Sequence, residues 1–134
     1  MSTNSMIGLE REDGTVLAVY CHWDGYPSHN GRILRDHYDA EKTEQLLRLG
    51  NVSILHKNIG VAHEFDARPI DACTFYGRDR GEDGQHAMCY NNAEEYMQEG
   101  GHEYMYLLCT NGVWYVNDLI LTVLDALGME EGTF

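Results

Sequence analysis

Asn111-Gly112 lies between Glu-Tyr-Met-Tyr-Leu-Leu-Cys at 103–109 and Val-Trp-Tyr-Val at 113–116. Asn-Gly supplies the positive φ angles of a tight β-turn, and between two β-rich runs it is the strongest short-range hairpin cue. A second hairpin is predicted over residues 6–22, turning at Glu12-Asp13-Gly14-Thr15. Its returning run, 16–22, is apolar at almost every position. Such a strand has both faces covered and belongs in the middle of a sheet.

The helices announce themselves by their ends. Asp39 reads as the N-cap of a helix over 40–49, with Gly50 just past it. A short helix over 32–38 precedes it, and Asn91 or Asn92 caps another that runs through Met97 and is closed by Gly100-Gly101. Asp118 reads as the cap of a last helix through Leu127, with Ile120, Val123, Leu124 and Leu127 at helical spacing. Residues 51–58 read as a short strand or an irregular crossing, 59–70 as a loop, 71–76 as a strand, 77–84 as a polar loop and 129–134 as a frayed tail. The expected fold is α+β: an antiparallel sheet of about five strands containing the two hairpins, with helices packed on one face. The 134 residues, 43% of them hydrophobic, suit one globular domain over 1–134. No run approaches the ~20 apolar residues of a membrane span, and residues 1–5 carry no signal-peptide pattern.

Nine basic residues face 22 acidic ones, for a net charge of -13. Residues 1–60 contribute six basic and eight acidic side chains; residues 61–134 contribute three and fourteen. After Arg80 there is no Lys or Arg, and ten carboxylates stand uncompensated. A direct grip on a nucleic-acid backbone needs many cations and is not expected. An acidic surface that steers a basic partner is one reading; solubility alone is the other. Cys21, Cys73, Cys89 and Cys109 form no C-x-x-C pair, and the seven histidines show no H-E-x-x-H or H-x-H pattern. No metal and no cofactor are expected. Reduced thiols are the default without a secretory signal.

Two segments carry the chemistry. Residues 20–27, Tyr-Cys-His-Trp-Asp-Gly-Tyr-Pro, close a buried strand and bring Tyr20, His22, Trp23, Asp24 and Tyr26 to its end. Residues 75–82, Phe-Tyr-Gly-Arg-Asp-Arg-Gly-Glu, bring Tyr76, Arg78 and Arg80 to another. Arginines make bidentate contacts to phosphate or carboxylate, and aromatic rings stack on bases. Against this, Trp23 and Tyr26 could simply plug the core, and Arg78 and Arg80 could pair with Asp79 and Glu82.

These two strings, with Gly31 and Gly-Val-Trp-Tyr-Val at 112–116, resemble a family of small proteins from tailed-phage genomes, over about residues 6–118. The resemblance implies a phage origin and a host-cytoplasmic setting, and no reaction. Small accessory phage proteins commonly counter host defences, which is an association and not a physical argument. Three mechanisms are expected to compete. In the first, Tyr20, His22, Trp23, Asp24, Tyr26, Tyr76, Arg78 and Arg80 sequester a nucleotide-type immune signal. In the second, the acidic half occupies the basic nucleic-acid site of a host nuclease or CRISPR effector. In the third, a small phosphoesterase uses His22 as acid–base and Asp24 as its orienter. Binding without turnover is favoured over enzymatic action, and homo-oligomerisation stays open.

Overall fold

A computed structural model describes residues 3–117, 119 and 120. Strands β1 (Ser5–Glu10) and β2 (Val16–Cys21) pair antiparallel, from Ser5 opposite Cys21 to Glu10 opposite Val16. Their turn is built as its residues dictate. Gly14 takes φ 88°, and the Asp13 carboxylate accepts from the Thr15 N–H at 2.9 Å and its hydroxyl at 2.6 Å. The second hairpin, β6 (Tyr104–Leu108) with β7 (Trp114–Val116), turns with Gly112 at φ 81° and the Asn111 side chain accepting from the Val113 N–H.

The sheet is mixed and larger than expected. Including β3 (Val52–Ile54), β4 (Thr74–Phe75) and β8 (Leu119–Ile120), its order is β4-β3-β2-β1-β6-β7-β8, and β5 (Met88–Tyr90) also pairs with β2. β1 meets β6 in parallel, and β2 meets β3 in parallel at Cys21 and Val52. Turn chemistry dictates only that sequence neighbours pair antiparallel. The long excursion between β2 and β6 supplies the crossover that parallel partners need. β2 is indeed central: β1 lies along one edge, while β3 and β5 divide the other between them.

Helices cover both faces, not one. Ile7, Leu9, Val19, Cys21, Tyr106, Leu108 and Trp114 pack against Leu34 of α1 (Arg32–His37), Tyr38, and Leu46 and Leu47 of α2 (Ala40–Arg48). The opposite pleat (Met6, Val16, Ala18, Met105 and Leu107) packs on Tyr96 of α4 (Ala93–Glu99). Central strands that are apolar on alternate and intervening positions alike have two faces to cover. Gly8 is what lets α4 come this close: a β-carbon there would stand 2.9 Å from the Tyr96 ring. Tyr96 is fully buried, and its hydroxyl donates to the Tyr106 carbonyl at 2.6 Å.

Both interior caps form. Asp39 accepts from the Lys42 N–H at 2.8 Å, and Asn92 from the Glu95 N–H at 2.8 Å. Asp39→Ala should destabilise the fold by about 1 kcal/mol, measurable by urea unfolding. Two expectations need correction. The strand expected over 71–76 is only Thr74–Phe75, and residues 76–80 form a helical turn, α3 (Tyr76–Arg80), where the end of that strand and the start of the loop 77–84 are expected, ending at Gly81 with φ 71°. Leu119–Ile120 form β8 rather than a first helical turn, because Asn117 at φ 48° turns the chain back and its side chain accepts from the Met105 N–H. The remainder of the helix expected over 118–127, and the tail 129–134, lie outside the described residues. Among the described residues no helix is long and apolar enough to cross a membrane.

Candidate functional site

Beyond β2 the backbone keeps pairing: the His22 N–H donates to the Val52 carbonyl at 3.0 Å and the Trp23 N–H to Ser53 at 3.1 Å. Tyr20, on the α4 face, has its hydroxyl 2.5 Å from His22 Nδ1, and its ring lies 5.0 Å from that of His102. His22 meets Trp23 edge-on at 4.8 Å. Burial pushes the Tyr20 phenol up, with the nearby Tyr76 phenol adding to it. Tyr20, His22, Trp23 and His102 thus form a half-buried run of rings; His102 is a member that no sequence motif pointed to.

The next residues turn the chain. Asp24 sits at φ 56°, a left-handed position that Asp tolerates better than most side chains. Its carboxylate accepts from the Tyr26 hydroxyl at 3.2 Å, so His22 and Asp24 are bonded to different partners and form no acid–base pair. Gly25 is pressed against the start of β1: its N–H donates to Thr3, its carbonyl accepts from the Tyr106 hydroxyl at 2.6 Å, and a β-carbon would stand 2.9 Å from Ser5. Asn30, fully buried, donates to the Trp23 carbonyl. Much of this polar string is thereby spent on anchoring a corner of the fold.

The arginines are committed in the same way. An arginine carries five N–H donors, and Arg78 directs them to both oxygens of Asp79 and to the carbonyls of Ile59, Gly60 and Cys73, at 2.9–3.1 Å. Its guanidinium lies 4.6 Å from the centre of the Phe75 ring. The Asp79 side chain is wholly buried and also accepts from the Phe75 and His63 N–H groups. Burial pushes its carboxyl up, but the donors outweigh this and hold it below the usual carboxylate range. Arg80 pairs with Glu82 and covers the rings of Phe65, at 4.4 Å, and Tyr76, at 5.1 Å.

His63 completes this clamp, although the loop that carries it shows no periodicity in the sequence. Nδ1 lies 2.7 Å from the Glu64 carbonyl; Nε2 lies 3.1 Å from the Cys73 carbonyl and 3.4 Å from Asp79. Both ring nitrogens face acceptors, which only the imidazolium satisfies. The Glu64 carbonyl, then the other acceptors, raise its pKa against the opposing effect of burial. The His63 contribution is therefore full below the ordinary imidazole value of 6.5 and is lost as pH rises through the raised folded value. The Asp79 contribution is present above the ordinary 3.8 and is lost as pH falls through the lowered folded value. Amide exchange, corrected for its intrinsic pH dependence, should show residues 59–73 best protected between those limits, and His63→Gln should flatten the upper limb.

None of the described clefts is lined by both segments. A cleft of about 640 Å³ beside Arg78 is walled by Arg48, Gly77, Glu82, Gln85 and His86, and one beside Arg80 by Glu64, Phe65, Asp66 and Asp79; Trp23 and Tyr26 line neither. Among the described residues no group of three or more His, Cys, Asp or Glu could hold a metal. Burial pushes the Cys21 thiol up to about 12 and Cys73 up as well, so neither is a ready nucleophile.

The acids of the second half are arranged otherwise. Glu94, Glu95 and Glu99 ride on α4, with Glu94 and Glu99 exposed, and among the described residues no ion pair reaches them or Glu103. A hydrogen bond that the protonated Glu99 carboxyl donates to Glu95, then the Glu95 charge, raises the Glu99 carboxyl. Compared with family models, curated proteins and solved structures, the chain matches none.

Proposed function

We propose that the protein acts by binding, through its acid-rich second half, a basic macromolecular partner, and does so without turnover. The observation that carries this is the contrast between the two charge types. Arg78 spends all its donors inside the fold, while among the described residues no ion pair reaches the α4 glutamates. A nucleotide trap would need phosphate holders, and the two arginines read for that role are occupied, Arg78 in its clamp and Arg80 with Glu82. A carboxylate-rich surface instead matches the cationic groove of a nucleic-acid-binding protein, where charge complementarity sets encounter rate and specificity. On the phage resemblance, that partner is a host defence nuclease or CRISPR effector in the host cytoplasm.

The test is displacement of a fluorescent DNA duplex from purified host nucleic-acid-binding proteins, followed by anisotropy. The protein should release the duplex from a basic member of the set, less well as salt rises. The triple variant Glu94→Gln, Glu95→Gln, Glu99→Gln should be about tenfold weaker, about 1.4 kcal/mol, while Trp23→Ala should act like the parent. Equal potency of the triple variant and the parent at every salt concentration would overturn the reading.

A further inference from the structure

β5 has one edge that nothing among the described residues covers. It pairs with β2 through Met88, Cys89 and Tyr90, and with no other strand among the described residues; β3 lies end-on to it, further along β2. Met88 is 59% exposed and Cys89 is exposed, so the edge is open to solvent. Soluble proteins blunt such edges with lysine, proline or a bulge. The sequence here, Met-Cys-Tyr, contains none of these, and no lysine or arginine follows it in the chain.

Charge says what this edge would accept. α4 follows β5 directly, and the Tyr90 ring lies 5.4 Å from Tyr96, tilted at 61°. The Glu95 carboxylate accepts from the N–H of Asn91, the residue just after β5, at 2.8 Å, and burial, then Glu99 and Glu95, raise the Tyr90 phenol. These carboxylates therefore flank the end of the strand. They are also one helical turn apart, a spacing at which like charges disfavour the helix. A cation placed between them would relieve that repulsion.

We propose that an extended, basic segment of the partner adds to the sheet along β5, its backbone filling the free edge and its lysine or arginine side chains reaching Glu95 and Glu99. This rests on the proposed function and adds the place and the mode, β-strand addition, in which main-chain bonds give affinity and side chains give specificity. A second copy of this chain is the poorer occupant, because it would bring two sets of the same carboxylates together.

The experiment uses the full chain and a labelled ten-residue peptide of alternating lysine and valine. Its controls are the same peptide N-methylated through its centre and a glutamate–valine counterpart. The lysine peptide should bind, N-methylation should weaken it at least tenfold, the glutamate peptide should not bind, and amide exchange should slow at residues 88–90. Glu95→Gln with Glu99→Gln should weaken binding several-fold yet keep that protection at saturation. If the N-methylated peptide binds equally well, or protection falls elsewhere, strand addition is overturned while the basic-partner reading stands. If no peptide binds although the protein still displaces DNA from a basic protein, strand addition alone is overturned. Self-association that itself protects residues 88–90 overturns it in favour of a second copy.

Discussion

Arg78→Ala should cost the fold about 3–5 kcal/mol, the usual penalty for removing one partner of a buried ion pair. The substitution leaves the Asp79 charge, with no exposed side-chain surface, without its cation, and it strips the Ile59, Gly60 and Cys73 carbonyls of a donor. That is a large share of the ~5–15 kcal/mol by which domains are stable. Arg78→Lys should recover only part of it, because an ammonium cannot reproduce the planar fork. Urea unfolding without any ligand measures both. A variant as stable as the parent would mean that the clamp is not what holds the loop, and would return Arg78 to the list of candidate ligand-binding residues.

Gly8→Ala should be the next most damaging small change. The new methyl would lie 2.9 Å from Cζ, 3.1 Å from Cε2 and 3.2 Å from the hydroxyl of Tyr96, a ring that is fully buried and tied to the Tyr106 carbonyl. Overpacking of this kind costs about 1–3 kcal/mol, and displacement of the hydroxyl would add the loss of a buried hydrogen bond, about 1 kcal/mol. Tyr96→Phe, which deletes only the hydroxyl, separates these: it should cost about 1 kcal/mol. If Gly8→Ala costs no more than Tyr96→Phe, then α4 is not seated tightly on the sheet. The glutamates it carries would then be less firmly placed than binding of a partner requires.

The parts of the fold legible in the sequence are those with local causes. Asp13-Gly14 and Asn111-Gly112 mark both hairpins, and Asp39 and Asn92 mark the helices they cap. What local chemistry does not encode is which distant elements meet. Nothing in residues 5–10 says that β6 will run parallel beside them, since that contact is decided by the global packing of two apolar pleats. Met-Cys-Tyr is too short to show alternation, so β5 leaves no signature in the sequence. Gly77, a poor helix former, disguised α3, and the apolar spacing from Ile120 suggested a helix where Asn117 starts a turn into a strand.

The candidate site divides along the same line. Pairing of Arg78 with its sequence neighbour Asp79 could be read as an alternative from adjacency alone. The acceptors that use up its other donors come from residues 59, 60 and 73, and His63 from the same unpatterned loop, so nothing nearby in sequence announced them. Uncompensated charge after Arg80 was plain from composition. That three of the ten carboxylates, Glu94, Glu95 and Glu99, sit beside an open strand edge emerges only once α4 is placed on the sheet.

The account turns on one distinction, that Arg78 is occupied inside the fold and Arg80 is paired with Glu82, while Glu94 and Glu99 of α4 are exposed. Equilibrium dialysis of the intact protein against a labelled cyclic dinucleotide and, separately, a labelled lysine-rich peptide tests this directly. The peptide should be retained at low salt and lost as salt is raised, while the dinucleotide should distribute equally on both sides. Retention of the dinucleotide that disappears in Trp23→Ala and in Arg80→Ala, with no retention of the peptide, would contradict it.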